Sequence, residues 1–170
     1  MTSPTTTTRA PKPEEVARSI FEALAKRDLD VAMEFINEDT VDDFVAIGLI
    51  EGRTAIRRFF DELIAAFPDF EMSTERIVGS TKAAVVQWRA TGTFSGDSYQ
   101  GIQSTGKHVE IRGVDVMEIK EGRVTHNTIY YDGASFARQI GLLPREGSAV
   151  DKAMLSTFNT ATRVRKRIRV

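Results

Sequence analysis

The stretch Lys107–Pro144, KHVEIRGVDVMEIKEGRVTHNTIYYDGASFARQIGLLP, decides how the chain folds. Two strand-like runs, Val109–Ile119 and Val124–Tyr131, flank Lys120-Glu121-Gly122-Arg123, where Gly122 supplies the positive φ of a tight hairpin turn. The second run ends at Asp132. Gly133 then breaks the strand, and Ala134–Ile140 reads as a short helix stopped by Gly141 and Pro144. A carboxylate therefore stands where a strand passes into a helix.

With Glu121-Gly122 as a two-residue loop, the antiparallel register pairs Ile119 with Val124, Met117 with His126, Asp115 with Thr128, Gly113 with Tyr130 and Ile111 with Asp132. One face then carries Asp115, Met117, His126, Thr128, Tyr130 and Asp132. The other carries Arg112, Val114, Val116, Glu118, Thr125, Asn127, Ile129 and Tyr131. Neither is cleanly apolar, so the first face is either a wetted outer surface or the wall of a polar-lined cavity.

The whole chain sets broader bounds. At 170 residues, 41% hydrophobic and a formal net charge of -1, it fits one domain with its own core and gives no global sign of a nucleic-acid partner. Cysteine is absent, which excludes disulfides, thiolate metal sites and cysteine nucleophiles. The Thr/Pro-rich opening MTSPTTTTRAPKP lacks an apolar core, so residues 1–12 are expected to be a disordered lead and not a signal peptide. No apolar run reaches bilayer length, and a cytoplasmic protein with no membrane partner is expected.

From Pro13, the apolar residues Val16, Ile20, Phe21 and Leu24 follow helical spacing, and a second short helix carries Leu29, Ala32, Met33 and Ile36. Residues Asp39–Ile50 read as irregular or strand-like. Arg53–Phe67 is the clearest helix, and its stripe of Ile56, Phe59, Phe60, Leu63 and Phe67 is expected to be core, with no ligand role. Phe70–Val78 and Ala83–Thr93 read as strands, and the glycine-rich Ser95–Gly106 as a loop or broken edge. This order predicts an α+β domain over 13–144, with helices gathered against one antiparallel sheet. Residues 145–170 are set apart as an extension, helical over Ala149–Phe158 and ending in RVRKRIRV, where five of eight residues are basic.

No phosphate-cradling glycine loop, HExxH, CxxC or GxSxG motif occurs. With only His108 and His126 available, no metal and no cofactor is expected.

The fragments Phe67-Pro68-Asp69, Thr91-Gly92-Thr93-Phe94-Ser95-Gly96, Thr105-Gly106-Lys107, Val114-Asp115-Val116, Glu121-Gly122-Arg123-Val124, Asp132 and Gln139-Ile140-Gly141 together resemble the SnoaL-like polyketide cyclases. These belong to the nuclear-transport-factor-two-like superfamily, which also holds the ketosteroid isomerases. The resemblance spans residues 14 to 144. It implies a cone-shaped fold, in which a curved antiparallel sheet packed on N-terminal helices encloses a cavity and two copies pair through the outer sheet face. It also implies that Asp132 is the acid/base group, which turns the Asp132 face inward and brings Asp115, His126, Thr128 and Tyr130 with it. The chain departs from the family pattern at Phe94, where histidine is usual, and at His126 and Thr128, where glutamate and tryptophan are usual.

The expected chemistry is cofactor-independent proton transfer on a hydrophobic, polyketide-like carbonyl compound, because one carboxylate in an apolar cavity can serve as acid and base in turn. Asp132 and His126 are the candidate catalytic residues. They lie about 20 Å apart along one strand, too far for direct contact. Tyr130, Thr128, Asp115, Trp88 and Asp43 are the candidate substrate-binding residues. Asp42 and Asp43 also offer a second place for a proton shuttle, in the region where ketosteroid isomerases hold a base. The other readings are a non-catalytic small-molecule binder with the same cavity, or an isomerase or hydrolase.

Overall fold

Helix α1 (Pro13–Ala25) starts with Pro at its first position and with the Glu15 carboxylate accepting the Lys12 N–H at 2.8 Å. The computed structural model describes residues 10–168, so the expected lead over 1–12 lies outside the described residues except for its last three. Helix α2 (Leu29–Met33) is capped by Asp28, whose side chain accepts the Val31 N–H at 3.2 Å. Between these helices Arg27 donates twice to the Phe70 carbonyl, at 3.0 and 2.8 Å, and so ties the helical layer to the sheet.

The segment read as irregular or strand-like resolves into a hairpin, β1 (Ile36–Phe44) and β2 (Gly48–Glu51), ahead of helix α3 (Arg53–Ala66). Then come β3 (Glu71–Gly79), β4 (Ala83–Thr93), β5 (His108–Lys120) and β6 (Arg123–Tyr131), the short helix α4 (Gly133–Gln139) and a C-terminal helix α5 (Ala149–Ile168). The chain is α+β, and its six strands form one curved open sheet in the order β2-β1-β6-β5-β4-β3. Neighbours run antiparallel except β1 and β6, which pair in parallel, so the sheet is mixed where an antiparallel one was expected.

The Glu121-Gly122 turn forms as expected, with φ of 53° and 78°, the two positive values that match a primed turn to strand twist. Ile119 pairs with Val124, also as expected. One residue further the register slips, because Glu118 faces His126 and leaves Thr125 as an extra residue in β6. The Thr125 hydroxyl donates to the Glu118 carbonyl at 3.2 Å within this bulge. Beyond it Met117 pairs with Asn127, Asp115 with Ile129 and Gly113 with Tyr131, one residue off the expected set.

A slip of one residue exchanges the faces of a strand. Val124, Asn127 and Ile129 all turn inward and are buried, whereas His126, Thr128 and Tyr130 turn outward, and Tyr130 is half exposed. The expectation that these last three face the interior is thereby corrected. On β5 the expected alternation survives, and Val109, Asp115, Met117 and Ile119 are buried.

Trp88 on β4 pairs with Gly113 on β5, and a Cβ at Gly113 would stand 2.2 Å from the indole ring. The absent side chain makes the room in which the indole lies. Gly113→Ala is expected to displace Trp88 and destabilise the fold by about 2 kcal/mol, lowering the melting temperature by roughly 5 °C in calorimetry, together with a shift in tryptophan emission.

Candidate active site

Four adjacent strands bring one polar row to the concave face of the sheet. Asp42 on β1 is the register partner of Asn127 on β6; Asn127 lies diagonal to Asp115 on β5, and Asp115 lies diagonal to Trp88 on β4. Asp42, Asn127 and Asp115 are all buried, at 4%, 5% and 7% exposure. Carboxylates are seldom this deep unless their oxygens are partnered. Those of Asp115 are: Oδ1 accepts the Trp88 Nε1–H at 2.7 Å, and Oδ2 accepts from Asn127 Nδ2 at 2.9 Å.

The row opens into a cavity of about 100 Å³. Its walls are apolar and mainly aromatic. Phe44, Phe59, Phe60 and Leu63 bring β1 and α3 to it, so the middle of the α3 stripe lines the cavity, while Ile56 and Phe67 at its ends are core as expected. Phe44 and Phe59 meet at 4.6 Å between ring centroids. At the other end Tyr99 packs edge-on against Phe67 and Phe136.

Helix α4 is held in place by Gln139, which donates to the Glu110 carbonyl at 2.8 Å and accepts the Glu110 N–H at 2.7 Å. That clamp sets Phe136 into the cavity wall.

Burial drives the electrostatics. It raises the Asp42 carboxyl to about 7, helped by the neighbouring Asp115 charge and opposed by the Asn127 amide. Burial likewise raises Asp115 to about 6, against the hydrogen bonds from Asn127 and Trp88 that favour its anion. The two carboxyls therefore titrate as a linked pair near neutrality, with the anion favoured at Asp115 and the proton at Asp42. Asn127 Oδ1 is buried and has no hydrogen-bond partner, which leaves an acceptor beside the pair. Tyr99 and Tyr131 also line the cavity, and burial pushes both phenols upward, at Tyr99 with a smaller contribution from the nearby Tyr131, so both remain O–H donors at neutral pH.

Of the residues singled out from sequence, Asp42, Trp88 and Asp115 line this cavity, and Trp88 touches Asp115. Asp132 does not line it: the residue is exposed at the start of α4, where its Oδ1 accepts the Ser135 N–H at 2.8 Å as a helix cap. His126, Thr128 and Tyr130 stand on the opposite face of the sheet. Asp43, paired with Thr128, shares that outer face, and its neighbour Asp42 occupies the site. Asn127, Tyr131 and Tyr99 were not singled out. The first two became legible only once Val124 and Ile129 were both required inside, which demands an extra residue between them; Tyr99 sits in a loop without periodicity.

Among the described residues no cluster of three or more metal-ligating side chains occurs. The fragments at 67–69 and 91–96 serve the scaffold. The Asp69 carboxylate accepts the Thr93 N–H at 2.6 Å and the Thr93 hydroxyl at 2.7 Å, and Phe94 stacks on Phe67 at 5.1 Å.

The fold recurs in known structures. A candidate SnoaL-like polyketide cyclase from Jannaschia sp. CCS1 superposes with a TM-score of 0.69 at 22% identity, over 81% of this chain and 99% of that one. IdmH, a candidate polyketide cyclase from Streptomyces antibioticus, gives 0.64 at 22% identity, over 77% and 99%. AclR, a candidate hydroxylase from Streptomyces galilaeus, gives 0.67 at 17% identity, over 78% and 97%. At these identities the likeness concerns the fold. No curated protein sequence matches the chain. Residues 14–140 match the SnoaL-like polyketide cyclase family, and on that match, spanning most of the chain and carrying the whole cavity, the protein belongs to this family.

Proposed function

We propose that the protein is a cofactor-independent cyclase or isomerase that moves protons at a carbon beside a carbonyl in a hydrophobic, polyketide-like small molecule. The observation that carries this reading is the buried pair Asp42 and Asp115, bridged by Asn127 at the floor of an aromatic-walled cavity. Two carboxyls whose environments separate their proton affinities can divide the work of acid and base.

Asp115, fixed by two donors and favoured as the anion, takes a proton from the carbon next to the substrate carbonyl. Asp42, which holds its proton to higher pH, gives that proton to the carbonyl oxygen as negative charge develops there. In an intramolecular aldol closure the enol carbon then attacks a second carbonyl, the enol O–H returns its proton to Asp42 as its C=O re-forms, and Asp115 gives its proton to the new alkoxide, so both carboxyls end as they began. Tyr99 and Tyr131 supply O–H donors toward the oxyanion. The apolar walls hold the chain folded and keep water from the carboxyls. By the same reading the ligand is small and hydrophobic, the protein is cytoplasmic, and two copies pair through the outer sheet face, where Val85 and Tyr130 are exposed.

The test is solvent deuterium exchange at the carbons flanking the carbonyl of 2-tetralone, followed by NMR. Wild type is expected to accelerate exchange, and Asp115→Asn to lose on the order of 10²-fold or more of that rate. Asp132→Asn is expected to retain it. Equal rates for wild type and Asp115→Asn would end the catalytic assignment and leave a binding protein.

The rate is expected to follow a bell-shaped pH profile with its limbs near 6 and 7, the values set by the coupled pair. Asp42→Asn should abolish one limb.

Stability carries an opposite signature. Both carboxyls bind protons more tightly folded than unfolded, so their contribution is fully present below about pH 4 and is lost as pH rises through 6 to 7. Asp42→Asn is therefore expected to stabilise the protein by about 2–4 kcal/mol at pH 8 and by little at pH 4, read from urea melts at the two pH values.

A further inference from the structure

The C-terminal helix α5 begins on a cap. Ser148 Oγ accepts the Asp151 N–H at 3.2 Å, and Asp151 Oδ2 accepts the Gly147 N–H at 2.9 Å. Beyond that cap, α5 makes no substantial packing contact with another helix or strand among the described residues. Yet Val150, Met154, Phe158, Ala161 and Val164 recur at helical spacing and share one face. Phe158 and Val150 are each 67% exposed. An apolar stripe along a helix about 30 Å long, with no covering element, marks a contact surface.

The opposite face is cationic. Lys152, Ser156, Asn159, Arg163 and Lys166 follow one another at i, i+4, i+7, i+11 and i+14. Residues 149–170 hold six Lys/Arg against the single Asp151, a charge of +5, so the remaining 148 residues carry −6 of the total −1. The molecule's excess of positive charge lies in these C-terminal residues, and α5 carries most of it.

We propose that α5 lies in the plane of an anionic lipid bilayer surface, with its apolar stripe in the headgroup boundary and its Lys/Arg residues against lipid phosphates. This revises the expectation of no membrane partner and is independent of the cavity chemistry. The charge pattern selects the occupant. Two such helices side by side would set +5 against +5 with one carboxylate each, which disfavours a second copy, and a nucleic acid would neutralise the charge but leave the stripe in water. Arg165, near the stripe, can run its stem along the apolar face and reach the headgroups. The contact is peripheral: no helix among the described residues is long and apolar enough to cross a membrane.

The full chain is mixed with vesicles of phosphatidylcholine alone or of phosphatidylcholine containing phosphatidylglycerol, and sedimented over a salt series. Binding is expected only to the anionic vesicles and is expected to weaken as salt rises. Joint replacement Arg163→Gln, Arg165→Gln and Lys166→Gln should lower affinity on the order of a hundredfold. Phe158→Asp should lower it comparably, with both variants keeping the wild-type melting temperature. Equal binding to both vesicle types, no binding to either, or full binding by the triple Gln variant would overturn the proposal. So would a concentration-dependent dimer that Phe158→Asp dissolves and anionic vesicles do not compete with, since a second copy would then cover the stripe.

Discussion

Thr125 is one residue more than the β5–β6 ladder needs, and the site depends on where that surplus falls. Val124 must be inside because it is fully buried core, with its N–H bonded to the Phe35 carbonyl and its carbonyl accepting from Thr40. Ile129 must be inside because it walls the cavity. The two differ by an odd number of positions, so a regular strand cannot bury both. The bulge absorbs the mismatch, at the modest cost of a locally interrupted ladder. With it come Asn127 and Tyr131, and out go His126, Thr128 and Tyr130.

Once Asn127 points inward, the electrostatics of the cavity follow. It stands between carboxyls from two strands that are not neighbours, and its amide donates to Asp115. Without a donor there, two buried acids would face each other across an apolar hollow, and both would stay protonated well above the usual carboxylate range. With Asn127 and Trp88 both bonded to Asp115, one member of the pair can ionise near neutrality while the other keeps its proton. Gly113 belongs to the same arrangement, since only a residue without a side chain lets the indole lie flat enough to reach Asp115.

The motif fragments and the site turn out to be largely different residues. Asp69 holds the end of β4, Gly96 approaches the α3 carbonyls where a Cβ would stand 1.9 Å from the Ala65 oxygen, and Asp132 starts α4. These residues fix where elements begin and end, so the family resemblance could be read from them. They say little about which side chains line the cavity. The aromatic walls from α3 and the loop residue Tyr99 carry that information, and hydrophobic periodicity alone cannot separate a cavity wall from a packed core, because both are apolar on the same face.

Local signals sufficed for the elements: the Glu121-Gly122 turn, the 3.6-residue stripes of α1 and α3 and the alternation in β4 and β5 each rest on contacts within a few residues, so the α+β class was legible from sequence. Trp88 and Asp115 do face the cavity, but Asp115 was expected there through a face shared with Asp132, which the structure instead places at the exposed start of α4. The parallel β1–β6 pairing, the bulge at Thr125 and the approach of Asp42 to Asp115 join residues more than 70 positions apart, or depend on which of two half-polar faces is buried. Only the packing of helices on the sheet decides that, because the free energy of burying Val124 and Ile129 together is a property of the assembled core and of neither strand alone.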